Sequence, residues 1–165
     1  MSIFIEQDPQ QVRDAVALNS KAEIASVRLI ASQITCSIKR SELSSITDLA
    51  FRHAPEAIQF EDESLTVATR FAFKAVSGKR KKRDVMAVDC VFESRYTLMP
   101  GYEPTTAEME AFRTGNAVFN CWPFFREFVQ SMVVRMDMPP PPVPFLRLAP
   151  KGAAIGEGKS QGRKP

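Results

Sequence analysis

Few residues in this chain could do chemistry, and they are scattered. His53 is the single histidine. A Ser-His-Asp or Cys-His device has to use it, and His53-Ala54-Pro55 lies in a connection of ambiguous character. A solvated loop histidine is the better reading. The three cysteines, Cys36, Cys90 and Cys121, are far apart, odd in number and form no CxxC pair. That pattern argues against a disulfide framework and against a zinc knuckle. Glu61-Asp62-Glu63 is the one acidic cluster; it lacks calcium-loop spacing and reads as a solvated turn. Neither GxGxxG nor GxxxxGK[ST] occurs, so no glycine-rich loop is placed to cradle phosphate. Lys79-Arg80-Lys81-Lys82-Arg83 could meet phosphate backbones, but no aromatic residues interleave to form a stacking platform. Nucleic acid is therefore disfavoured, and an anionic protein fits the cluster as well. These residues imply no catalysis, no cofactor and no metal.

Apolar binding is the chemistry that remains. Trp122-Pro123-Phe124-Phe125-Arg126-Glu127-Phe128 holds the only Trp and three of the 12 Phe. It continues through Met132, Met136 and Met138 into Pro139-Pro140-Pro141-Pro142. Flexible thioethers beside aromatic rings make a surface that adapts to varied apolar shapes. Part of this surface must be core. The excess predicts contact with another subunit or with apolar polypeptide.

The elements that position this segment follow from periodicity. Asp8-Pro9 is a helix opening, with an apolar stripe of Val12, Val16 and Ala15 running to about Ser20. From Val27 the period becomes two, with Ile30, Ile34, Cys36 and Ile38 on one face of a half-buried strand. Ser41 to Pro55 reads as a connection with a short helical or strand piece. Leu65, Val67, Thr69, Phe71 and Phe73 then alternate with Thr66, Ala68, Arg70, Ala72 and Lys74. Met86, Val88, Cys90, Phe92, Tyr96 and Leu98 repeat the pattern after a turn at Ser77-Gly78, which predicts an antiparallel hairpin. Thr105 or Thr106 caps a helix carrying Met109 and Phe112, and Gly115-Asn116 weakens or breaks it. Pro123 restarts a helix that Pro139 stops.

Strands followed by helices predict an α+β fold: an antiparallel sheet of three to four strands packed with a long C-terminal helix. The expected organisation is an N-terminal helical segment over residues 1–23, one α+β domain over 24–150, and a disordered basic tail over 151–165. Hydrophobic residues are 44% and charged residues 25% of the chain, ordinary for a globular domain. Net charge is +3, but the 79–83 cluster and the tail supply it, and the remainder is acidic. The first residues lack a basic stretch followed by an apolar one, and no apolar run approaches the roughly 20 residues of a membrane helix. A cytoplasmic setting with no membrane insertion is expected.

Trp122-Pro123-Phe124-Phe125-Arg126-Glu127, then Ser131-Met132, Arg135 and Pro139, resemble the signature of the SecB export chaperones. That family carries aromatic-Pro-aromatic-x-Arg-Glu, then Ser-Met-x-x-Arg, then a proline-containing extended connector. The resemblance implies a curved antiparallel sheet, a long helix and a tetramer built as a dimer of dimers. It implies an ATP-independent holdase, without enzyme activity or cofactor, that binds unfolded preproteins and delivers them to the SecA motor. Trp122, Phe124, Phe125, Met138, Phe145 and Leu148 are then candidates for client groove or subunit interface. Arg126 and Glu127 are expected to orient the helix or pair between subunits, and Asp89 and Glu93 to form an acidic SecA-facing surface. Three departures bear on delivery: the chain is net basic, its N-terminal helix is unlike the family's start, and Phe145 runs into Leu146-Arg147-Leu148 and the tail where the family continues into a closing helix. Some SecB-like proteins instead protect an aggregation-prone antitoxin, which gives the alternative of a dedicated chaperone or adaptor for one partner.

Overall fold

A computed structural model of the chain describes residues 2–78 and 81–152. The basic-cluster residues Lys79 and Arg80 and the tail from 153 lie outside the described residues. The element order is β1 (Ser2–Gln7), α1 (Pro9–Asn19), β2 (Ala22–Cys36), a short 3-10 helix (Arg40–Ser45), β3 (Ile46–Glu61), β4 (Ser64–Ser77), β5 (Arg83–Leu98), α2 (Thr106–Thr114), α3 (Asn116–Arg135) and β6 (Phe145–Pro150). Four strands form one antiparallel sheet in the order β2-β5-β4-β3. The fold is α+β, as the sequence predicts.

The predicted hairpin is the centre of that sheet. Leu65, Val67, Thr69, Phe71 and Phe73 of β4 are buried, as are Met86, Val88, Cys90, Phe92, Tyr96 and Leu98 of β5. Both strands have neighbours on both sides, and the alternation is unbroken in β4; in β5 Val85 and Val91 are buried as well. Their outer face is polar. Arg70 pairs with Glu56 at 2.6 Å and Asp89 at 2.8 Å, and Arg28 pairs with Glu93 at 2.7 Å.

Helices α2 and α3 cover the inner face. Thr105 caps α2 through a capping box, its hydroxyl accepting from the Glu108 N–H while Glu108 accepts from the Thr105 N–H. The chain breaks at Gly115, where the Gln7 side chain packs so closely that an added Cβ would lie 2.5 Å from its Nε2. Gln7 is buried and donates to the Ala111 carbonyl at 3.0 Å. Helix α3 starts at Asn116, not at Pro123; Pro123 lies inside it. The proline is on the exposed side, so water can serve the carbonyl that its missing N–H leaves free.

Other sequence expectations need correction. Helix α1 forms with Asp8 as N-cap, accepting from the Gln10 and Gln11 N–H groups. However, it buries Ala15 and Leu18, while Val12 and Val16 are exposed. Strand β2 starts earlier, at Ala22, and is not half-buried: Ile24, Leu29 and Ile30 are all exposed. It is an edge strand with two bulges, at Ile24/Ser26 and Leu29/Ala31, so no single face stays covered. The Ser41–Pro55 stretch is mostly strand β3, the opposite edge, and His53 therefore sits in a strand and not in a loop. Before α1, residues 2–7 form β1, which pairs in parallel with β6 from the other end of the described chain. After Pro144 the chain thus becomes a strand.

Candidate functional site

How α3 ends decides the shape of the site. Met136 is the C-cap and Asp137 adopts a left-handed φ of 59°. The Met138 N–H then reaches the Val133 carbonyl at 3.2 Å, and the Asp137 N–H reaches the Val134 carbonyl at 3.0 Å. This is a Schellman motif, whose geometry folds the residue after the turn back onto the last helical turn. It seats Met138 beside Val133, both buried. Arg40 holds Asp137 from the 3-10 helix at 3.0 Å. The four prolines that follow cannot continue a helix and run beside the edge of the sheet.

Between those prolines and β3 lies an open apolar groove of about 540 Å³. Phe73, Ala75 and Met86 from the sheet, with Val133 and Met138, line its floor. Leu43, Ile46 and Leu49 form one wall and Pro139 to Pro142 the other. Thr47 and Asp48 are the polar lining residues. Of the six candidates from the sequence, only Met138 lines this groove.

The other five divide by exposure. Trp122 and Phe125, at 3% and 0% exposed, are core. Phe71 lies 5.8 Å from Trp122 and 5.0 Å from Phe125, ring centroid to centroid. The Trp122 Nε1–H donates to the Pro144 carbonyl at 3.0 Å, so the ring anchors the end of the connector. Phe124, Phe145 and Leu148, at 44%, 62% and 41% exposed, face outward. Arg126 lies with its guanidinium carbon 4.8 Å from the Phe145 ring centroid, a cation–π contact. Its Nε is buried without a hydrogen-bond partner. Glu127 is exposed, and no ion pair links it to Arg126 among the described residues. Asp89 and Glu93 lie on the outer sheet face, each engaged by an arginine. The sequence reasoning missed Ile46, Leu49 and the 3-10 helix as groove wall. Ile46 and Leu49 gave no signal because an edge strand with one partly covered face does not alternate cleanly.

The remaining polar groups are not set for nucleophilic work. Burial pushes the Cys90 thiol up to about 12, with Asp89 adding to it, and the Cys121 thiol to about 11. Both stay protonated at neutral pH. His53 is half-buried, its Nδ1 has no partner, and desolvation holds its pKa below the usual 6.5. Among the described residues, no group of three or more His, Cys, Asp or Glu is placed to hold a metal ion. No helix of the described residues is long and apolar enough to cross a membrane.

An antiparallel four-stranded sheet backed by a broken helix pair, with an apolar groove under a proline connector, defines a SecB-like fold. Among solved structures, the chain is similar to the Mycobacterium tuberculosis Rv1957 SecB-like chaperone in complex with a ChAD peptide from the Rv1956 HigA1 antitoxin. The TM-score is 0.71 at 21% identity, over 82% of this chain and 98% of that one. A Streptococcus agalactiae protein of unknown function matches with a TM-score of 0.44 at 10% identity, over 76% of this chain and 98% of that one. No protein family matches the sequence, and no curated protein is similar to it.

Proposed function

We propose that this chain is an ATP-independent holdase chaperone, assembled as a dimer of dimers, that binds unfolded apolar polypeptide. The groove between β3 and Pro139–Pro142 carries this reading. It is open, lined almost entirely by apolar side chains, and built on a SecB-like fold. Burying client side chains there contributes about 25 cal/mol per Å² without directional demands, so broad client choice follows. Phe124, Phe145 and Leu148 extend the exposed apolar surface available to clients or to other subunits. The test is suppression of aggregation of several unrelated unfolded proteins without ATP, with mass checked by light scattering. Protection of many clients supports the holdase; protection of none rejects it.

A second reading is a dedicated chaperone for one partner such as an antitoxin, without delivery to SecA. Two observations favour it. The similar Mycobacterium protein carries an antitoxin peptide. On the outer sheet face, Asp89 and Glu93 are already neutralised by Arg70 and Arg28, which weakens the acidic surface that SecA delivery needs. Binding to a single genomic-neighbour protein, with no protection of unrelated clients, selects this reading over the first.

A further inference from the structure

Charge is sorted between the two ends of the four-stranded sheet. One end carries the β4–β5 turn, the exit of β2 and the start of β3. The carboxylates there are engaged. Lys74 pairs with Asp84, Arg40 with Asp137 at 3.0 Å and Lys82 with Asp48 at 4.0 Å. Glu42 accepts from the Lys39 backbone N–H at 3.0 Å. The side chains of Lys39, Lys81 and Arg83 remain. These residues are exposed, and none of them forms an ion pair among the described residues. At the other end the reverse holds. Glu61, Asp62 and Glu63 make the β3–β4 turn, and no lysine or arginine pairs with them among the described residues. Between the ends, Arg28 and Arg70 neutralise Glu93, Glu56 and Asp89.

Backbone contacts gather the three free cations at one end. The Ser37 N–H reaches the Val85 carbonyl at 2.9 Å, so the exit of β2 runs beside the start of β5, and Lys39 lies at the same end as Arg83. Gly78, with a φ of 94°, turns so tightly that an added Cβ would lie 2.5 Å from the Lys81 carbonyl oxygen. The Thr47 hydroxyl donates to the Val76 and Gly78 carbonyls at 3.3 and 3.4 Å, tying β3 to the same turn. The cations therefore stand on a fixed backbone, and little beyond their side chains needs ordering when a partner binds. Among the described residues the one cation–π contact is Arg126 over Phe145, so no aromatic ring accompanies them. Nucleobases would find no stacking platform here, and three cations neutralise few phosphates. Carboxylates fit better. The Arg83 guanidinium can fork onto one, and the lysines add point charges. Apolar surface also begins beside Thr47 and Asp48, and apolar surface with a charged rim is the anatomy of a protein interface.

We propose that Lys39, Lys81 and Arg83 form a docking site for an acidic segment of a protein partner. The site goes beyond the polypeptide-binding groove, because none of the three residues lines it. Long-range attraction brings the acidic segment to this end of the sheet, and the Glu61–Glu63 turn repels it from the other. Docking is thus oriented, and it weakens as salt screens the charges.

The probe is a capped, rhodamine-labelled octaglutamate, titrated with the full chain by fluorescence polarisation at about 50 and about 150 mM salt. Binding is expected at the lower salt and should weaken at the higher. Lys81→Glu with Arg83→Glu should weaken it by about tenfold, and Lys39→Glu alone by about threefold. Arg95→Glu with Arg147→Glu makes the same change in net charge at exposed positions elsewhere and should stay within about threefold of the parent. Unchanged circular dichroism and urea midpoints show that the variants fold. Equal weakening in the two double variants means that only net charge matters and overturns the site. An oligouridylate of the same length that binds more tightly than octaglutamate at equal salt assigns phosphate backbone and overturns the acidic-protein partner. Absence of octaglutamate binding at the lower salt removes the proposal and leaves the holdase reading, which aggregation suppression tests, as it was.

Discussion

Trp122 shows how a single side chain ties the helix to the connector. Its ring packs among Phe71 and Phe125, and its N–H holds the Pro144 carbonyl. Trp122→Phe keeps much of the packing and leaves that buried carbonyl unpaired, so it should cost about 1–2 kcal/mol in urea unfolding followed by circular dichroism. Trp122→Ala removes the packing as well and should cost about 3–5 kcal/mol. No loss in Trp122→Phe would mean that the hydrogen bond contributes nothing, and equal losses in the two variants would mean that the ring packing adds nothing beyond it. His53 gives a pH signature. Burial lowers its pKa in the folded chain below the ordinary 6.5, so the unfolded chain binds the proton more readily. Its contribution is complete above the unfolded pKa and is lost as pH falls below it. The urea midpoint should therefore drop between about pH 7 and pH 5, and His53→Phe should flatten that slope. An unchanged slope in the variant would assign the effect to other groups. At this scale the sequence marks the important segment but not the role of each ring. Adjacent positions on a helix point about 100° apart, which is why Phe125 is core and Phe124 is not.

Elements are legible where both of their faces have a definite environment. Strands β4 and β5 are central, one face buried and one polar, and their period of two reads directly from the residues. Strands β2 and β3 are edges. Exposed Ile24, Leu29 and Ile30 blur the pattern of β2, and the bulge at Pro55 blurs that of β3. Pro123 misleads for a different reason: proline opens many helices, and only the exposed position within α3 lets it sit inside one. Pro123→Ala restores a donor to an otherwise regular helix. Allowing for the freer unfolded chain, it should stabilise by about 1–2 kcal/mol in thermal or urea unfolding. A neutral result would show that α3 has adapted fully to the proline. Gly115 is different, because its φ of −114° suits any residue and space is what it lacks. Gly115→Ala should displace the Gln7 side chain, break its bond to Ala111 and cost about 1–2 kcal/mol. In a double-mutant cycle with Gln7→Ala most of that loss should disappear; additive losses would locate the strain elsewhere.

At the scale of the whole molecule, the two ends of the described chain meet. Pairing between β1 and β6 joins residues more than a hundred positions apart, and two six-residue strands carry no local signal of such a partner. The fold then presents two long free edges with different surroundings. The edge of β3 lies beside the apolar groove. The edge of β2 carries Leu29 and Ile30, adjacent residues that expose apolar surface on both faces of the strand. An uncovered strand of 15 residues with that composition is an aggregation hazard unless another subunit covers it. Self-association through the β2 edge is therefore the expected way to cover it. Leu29→Lys with Ile30→Lys places charge on residues that are already exposed, so folding stability should change by no more than about 1 kcal/mol for the pair. The mass from light scattering should fall, while suppression of client aggregation should persist. If the mass holds and client protection fails instead, the β2 edge serves clients and not self-association. If both fail together, subunit contact and client site are one surface, and the groove is complete only in the assembled protein.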